Sequence, residues 1–204
     1  MTTRKHLAWI PLGYPGSAFV APLDIPYVSD ISDTNHICRV TCADRPRNDR
    51  CIPRSRLWCY DASEVYRAFA REEALKVTHL WEPPPGALRY LKTGDESLRR
   101  ATAAATEIEP ANLHDHTNPV ARANAAAAWA ARAARWATQT HPTWGTARDV
   151  TRDVANAAIR AATAQESTAR GRDQARGPAR ARQNRRLATL LIAGRRLYGQ
   201  RVVP

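Results

Sequence analysis

Residues 120–170 constrain the fold more tightly than any other stretch, because composition, hydrophobic spacing and helix punctuation agree there. Val120 to Ala137 is mostly alanine, with Trp129 and Trp136 one heptad apart, and alanine enters a helix without losing side-chain entropy. At about 100° per residue, Trp129, Trp136, Ala126 and Ala133 share one stripe, while Ala123, Ala127, Ala130, Ala131 and Ala134 make a second, smooth side. The clearly polar strip is narrow: Asn124, Arg132 and Arg135. A helix with so little polar circumference belongs at the centre of a bundle, where small residues admit close neighbours and indoles fill the wider gaps.

The segment Thr140 to Thr146 contains Pro142 and Gly145 and ends that helix. From Ala147 the helical pattern resumes, with Val150, Val154, Ala157 and Ala161 on one face and Arg148, Arg152 and Asn156 on the other. Thr143 and Thr146 are the candidate caps. So short a connection makes the two helices antiparallel neighbours.

A chain of 204 residues can bury a real core. With two Phe, one Met and six Trp, alanine contacts and indoles must supply most of that packing. Arginine dominates the basic residues, since Lys5, Lys76 and Lys92 are the only lysines, and with the alanine this is the usage of a GC-rich bacterial or phage genome. The net charge of +12 favours an anionic partner. Residues 169–204 hold ten Arg against Asp173 alone, hence +9 of that +12. No run of apolar residues is long enough to span a membrane. The N-terminal apolar run is broken by Pro11, Gly13, Pro15 and Gly16 before a signal core forms. The expected location is therefore cytoplasmic, with the cysteines as reduced thiols or metal ligands rather than disulfides.

Residues 1–40 set Trp9, Ile10, Phe19, Val20, Ile25, Tyr27 and Val28 among four prolines. Strands here would be short and interrupted, because proline cannot donate to a ladder; an irregular segment with one hairpin is expected. Next, Cys38, Cys42, Cys51 and Cys59 cluster in one short stretch, interleaved with Arg39, Arg45, Arg47, Arg50, Arg54 and Arg56. Four thiolates suffice to enclose a tetrahedral zinc, which would order so polar a segment and turn its arginines into a phosphate-contacting loop. The intervals of three, eight and seven residues match zinc knuckles only loosely. Free cysteines beside a solvated arginine face are the plainer reading.

Asp61 and Glu64 start a helix running to about Val77, with Val65, Ala68, Phe69 and Leu75 on its inner face. A rigid Pro83-Pro84-Pro85 turn separates it from a short helix over Ala87–Leu91, stopped near Gly94, and Asp95 opens another to about Glu107. The run Ala87-Leu88-Arg89-Tyr90-Leu91, then Gly94, then Ser97 to Ala105, followed by alanine–tryptophan helices, resembles the alanine-rich helical immunity proteins of bacteria over about residues 58–164. That resemblance implies an α-helical fold and protein binding, and carries over no catalytic residue. His114-Asp115-His116 lies in a loop between prolines without a further ligand set, and no nucleotide, nucleophile or metalloprotease motif is present.

Residues 169–204 read as an Arg/Gly/Pro linker and then a helix from about Ala179 to Tyr198. Leu187, Leu190, Leu191, Leu197 and Tyr198 share one face, and Arg182, Arg185, Arg186 and Arg196 the other. Such a helix either docks on the bundle with solvated arginines, or meets phosphates or an anionic membrane with them.

The sequence thus predicts a mainly α protein: a bundle of about four helices (61–168), an irregular, partly β N-terminal segment (1–60), and a basic linker and C-terminal helix (169–204). The leading functional expectation is non-enzymatic nucleic-acid binding, DNA or RNA, through Arg170, Arg172, Arg176, Arg180, Arg182, Arg185, Arg186, Arg195 and Arg196 and the Cys-clipped arginine loop. The alternative is an interaction module of the immunity or phage-accessory type that binds an acidic partner protein.

Overall fold

The computed structural model describes residues 6–25, 34–44, 46–107, 118–165 and 171–198. It corrects the expectation of a mainly α bundle: the described residues form a five-stranded antiparallel sheet and six helices, and the fold is mixed α/β. The strands are β1 (Leu7–Pro11), β2 (Ala18–Phe19), β3 (His36–Cys42), β4 (Arg50–Cys51) and β5 (Pro53–Asp61). The helices are α1 (Ser63–Leu75), α2 (Pro85–Thr93), α3 (Arg99–Ala105), α4 (Pro119–Trp136), α5 (Trp144–Gln165) and α6 (Gly171–Tyr198). Two units divide the chain: Met1–Tyr66, His141–Gly145 and Asn184–Pro204 form the first, and Arg67–Thr140 and Thr146–Gln183 the second.

In the first unit the strand order is β4-β2-β1-β3-β5. Only Ile52 separates β4 from β5, yet they stand at opposite ends of that order. The sheet therefore curls enough for Ile52 to link the last residue of β4 to the first of β5, while the two strands do not pair. The Ala43 N–H donates to the Ile52 carbonyl at 3.0 Å, which carries the β3–β5 ladder up to the residue where the chain passes over to β2. Two register shifts against β3 leave Leu57 and Arg54 as extra residues on β5; such bulges bend the strand and increase its twist. The inner face is a small core of Ala8, Ile10, Ala18, Cys38, Val40 and Cys51. Alanines at two of these positions leave room for a tight curl.

The cysteines are paired, Cys38 with Cys59 and Cys42 with Cys51. This overturns both zinc and free thiols, and among the described residues no group of His, Cys, Asp and Glu is arranged to hold a metal. The reason lies in the register: Cys38 stands directly opposite Cys59, so the sulfurs meet two by two rather than four around a point. Cys42 reaches instead to β4, at the other end of the strand order. Cross-links of this kind contribute about 2–4 kcal/mol each, largely by restricting the unfolded chain.

The outer face of the sheet is covered by the last turns of α6. Leu187 and Leu191 are buried, and the Tyr60 hydroxyl donates to the Leu191 carbonyl at 2.7 Å. The Asn184 amide donates to Asp24 Oδ1 at 3.1 Å, and its oxygen accepts the Leu23 N–H at 2.9 Å. A Cβ on Gly194 would overlap Val65 Cγ2, so the close approach of α6 needs glycine there.

In the second unit α4 buries Ala125, Ala126, Ala130, Ala133 and Ala134 along with Trp129. The Asn118 side chain caps it by accepting the Ala121 N–H at 2.8 Å. The Trp136 indole on α4 donates to Asp153 on α5 at 2.6 Å, and Arg132 pairs with the same carboxylate at 2.9 Å. Gly94 ends α2 in the left-handed conformation (φ 73°), its N–H donating to the Tyr90 carbonyl. The buried Glu73 accepts from Gln183 at 2.8 Å and pairs with Lys76. The expected linker before residue 179 is helical from Gly171 on, with Pro178 inside α6. The His114–His116 loop lies outside the described residues.

Candidate interaction surface

The sequence singled out two arginine-bearing regions far apart along the chain, and the first unit contains parts of both. At the tip of the β3–β4 connection Asn48 and Asp49 both have positive φ (47° and 61°), and Arg47 and Arg50 exchange backbone hydrogen bonds across them. This is the two-residue hairpin turn whose twist suits antiparallel strands, and Asn and Asp tolerate it best after glycine. It leaves Arg47 and Arg50 exposed, and Arg54 and Arg56 follow on β5, also exposed. Between and beside them Ile52 is 67% and Leu57 47% exposed. β5 ends the strand order, and among the described residues β3 is its only neighbour.

Directly opposed residues run across all five strands on the outer face: Arg50, Phe19, Trp9, Arg39 and Trp58. Side chains opposed in this way share one face and touch. The Arg50 guanidinium lies 5.4 Å from the Phe19 ring and that of Arg39 4.3 Å from the Trp9 ring. Trp9 and Trp58 meet edge to face at 5.7 Å. Arg195 of α6 completes the row, 5.2 Å over Trp58. Cations stacked on rings contribute about 0.5–2 kcal/mol each, more as water is excluded. Arg39 carries the cost: burial lowers its pKa, and its Nη1 is buried without a hydrogen-bond partner. Burial, and then the charge of Asp61, raise the Tyr60 pKa, so its hydroxyl stays a donor to α6.

The tail arginines fall in both units. Arg185, Arg186 and Arg195 are exposed in the first unit, whereas Arg182, exposed, and Arg180, half-buried, belong to the second. Arg172, Arg176 and Arg196 lie on α6, and Arg170 falls outside the described residues. Cys38, Cys42, Cys51 and Cys59 ligate nothing and instead fix the strands that carry Arg50, Arg54 and Arg56. The Arg/aromatic row was not legible because its members come from five strands; the one local signal was the alternation of Trp58 and Tyr60 on β5. No helix among the described residues is long and apolar enough to cross a membrane.

No family model, curated protein or solved structure matches this chain, so nothing in the comparisons supports DNA binding.

Proposed function

We propose that this protein is a non-enzymatic interaction module that binds an acidic partner protein through the segment from Arg47 to Leu57. The observation behind this reading is the mixture on that segment: exposed Arg47 and Arg50 at β4 and exposed Arg54 and Arg56 on β5 are interspersed with exposed Ile52 and Leu57. Protein interfaces are rich in arginine and large apolar groups and poor in lysine, whereas a phosphate-tracking surface needs charge and little else. An unpaired strand edge also offers backbone donors and acceptors to a partner segment. We also propose that the protein works in an oxidising compartment, in place of the cytoplasm, because two disulfides persist where thiols are not kept reduced.

Nucleic-acid binding stands as the second reading, and its support is Arg195 stacked on Trp58 with Arg185 and Arg186 exposed in the same unit. Salt titrations of the full chain against polyglutamate and against single- and double-stranded nucleic acid separate the two. The acidic-partner reading expects R54Q/R56Q and L57S each to weaken polyglutamate binding by about tenfold. The second reading expects L57S to change nothing, R185Q/R186Q/R195Q to remove most affinity, and a steep loss of nucleic-acid binding with salt. Polyglutamate affinity unmoved by L57S and by R54Q/R56Q overturns the first.

A further inference from the structure

Three arginines of the second unit gather at the end of α4. Arg67 on α1 donates to the Thr140 carbonyl at 3.2 Å. Arg99 on α3 donates to the Thr138 carbonyl at 3.0 Å and to Thr140 Oγ1 at 3.3 Å. The Arg71 guanidinium stands 6.0 Å from the Tyr90 ring, and the Tyr90 hydroxyl donates to the Ala137 carbonyl at 2.7 Å. Tyr90 feels the whole group: burial and then Glu96 raise its pKa, while Arg67, Arg71 and Arg99 pull it down.

Capping explains only part of this. The last carbonyls of a helix accept from cations and hydroxyls, and Arg67, Arg99 and Tyr90 supply those bonds. Arg71 has no such role. Its Nε is buried without a hydrogen-bond partner, and among the described residues no carboxylate pairs with it. A Cβ on Gly94 would overlap Arg71 Nη1, so the guanidinium lies against the backbone of Gly94, whose φ of 73° itself favours glycine. A buried guanidinium nitrogen left without a hydrogen bond costs free energy, and an anion beside it would offset that cost. The remaining edges of the other two arginines already face one: Glu96 Oε2 accepts from Arg99 Nε at 2.7 Å, and Oε1 stands 3.9 Å from Arg67 Nη1. Glu96 is 56% exposed and sits at the surface of the cluster.

We infer that Arg67, Arg71 and Arg99 form a binding site for a phosphate-type oxyanion, free or as a phosphomonoester, in which Glu96 is a resident carboxylate that the ligand displaces. Guanidinium forks suit tetrahedral oxyanions through paired, charge-assisted hydrogen bonds. A phosphate has oxygens enough to take the places of Glu96 and to reach Arg71 as well. This inference is independent of the surface proposed above and shares no residue with it.

Calorimetric titration of the full chain with inorganic phosphate and with phenyl phosphate tests it, using E96Q, R71Q and, as a control for diffuse charge, the exposed neighbour variant R100Q. Saturable binding is expected, about tenfold tighter in E96Q and at least tenfold weaker in R71Q, with R100Q unchanged. Tighter binding of phenyl phosphate identifies the phosphomonoester as the ligand, and tighter binding of inorganic phosphate identifies the free anion. E96Q removes an exposed carboxylate and leaves the fold intact, so it decides the matter even where R71Q fails to fold. Binding no tighter in E96Q than in the native chain, or no saturable binding in either, overturns the inference. So does an R100Q variant that loses as much affinity as R71Q.

Discussion

The curled sheet and the α4–α5 pair solve the same problem by opposite means. In the helical pair the information is local: alanine fixes the backbone, Asn118 caps the start, and fully buried Ala125, Ala130, Ala133 and Ala134 let a neighbour approach closely. In the sheet almost nothing is local. β2 and β4 are each a single dipeptide, and the strands they join are drawn from all along the chain between Leu7 and Asp61. Strands so short cannot hold a register by ladder hydrogen bonds alone. Two disulfides and a row of stacked arginines and rings supply what length does not.

The most severe way to break that contrast is to remove a cross-link. C38S/C59S should destabilise the sheet by about 2–4 kcal/mol, read as a shift in denaturant midpoint followed by the fluorescence of Trp9 and Trp58. The far-UV circular dichroism of the alanine-rich helices should outlast that transition. A single transition for both signals, unmoved by the double substitution, would remove the distinction.

What the sequence disclosed follows the same line. The helices came from periodicity and punctuation: α4 spans Pro119–Trp136 where alanine and the two indoles required a helix, α2 stops at Gly94, and the Asp95 side chain accepts from Ser97 N at 3.1 Å to open the next turn. The sheet stayed hidden because prolines sit at its strand ends, Pro11 closing β1 and Pro53 opening β5, and because Trp9 finds Arg39, and Arg39 finds Trp58, only through tertiary pairing. Four clustered cysteines allow three disulfide pairings, and no spacing rule chooses among them or excludes a metal. The strand register does choose. For the same reason the arginines of β5 were legible as charge but not as an edge with Ile52 and Leu57 exposed beside them. A helix over about Ala179–Tyr198 was legible from its leucine and arginine faces, although it begins earlier, at Gly171. Docking through the leucine face was one of the readings, and Leu187 and Leu191 are buried; that the Leu191 carbonyl would accept from Tyr60 on the sheet was not legible, and deleting this helix would expose a core rather than isolate a function.

Gly194 sharpens the comparison at intermediate magnitude. Helix propensity alone makes Gly194→Ala stabilising by about 1 kcal/mol, as it would be at an open position of α4. The new methyl would overlap Val65 Cγ2 and stand 3.0 Å from the Tyr60 hydroxyl, and overpacking of that kind costs about 1–3 kcal/mol. The clash outweighs the propensity. G194A should therefore lower the midpoint of the sheet transition, and a rise would show that α6 can shift away from the sheet at little cost.

The smallest effect concerns the one charged group that the helical pair buries. Asp153 is fully buried, accepts from Trp136 and pairs with Arg132 and Arg152, contacts that favour the carboxylate; burial nevertheless outweighs them and raises its pKa. The sign of the linkage follows. A folded pKa above the unfolded value means that the native state binds more protons across that window. The contribution of Asp153 to stability is then fully present below the ordinary carboxylate range and is lost as pH rises through the raised value. A salt-bridged surface aspartate such as Asp95, whose bonds to Ser97 lower its pKa, behaves in the opposite way. D153N keeps an oxygen for the Trp136 N–H and no longer titrates. Stability measured by urea unfolding from acid to neutral pH should show a falling component in the native chain, just above the ordinary aspartate range, that is missing in D153N. If the native chain instead gains stability over that window relative to D153N, the ion pairs with Arg132 and Arg152 dominate over burial, and the helical pair is held by charge as much as by alanine.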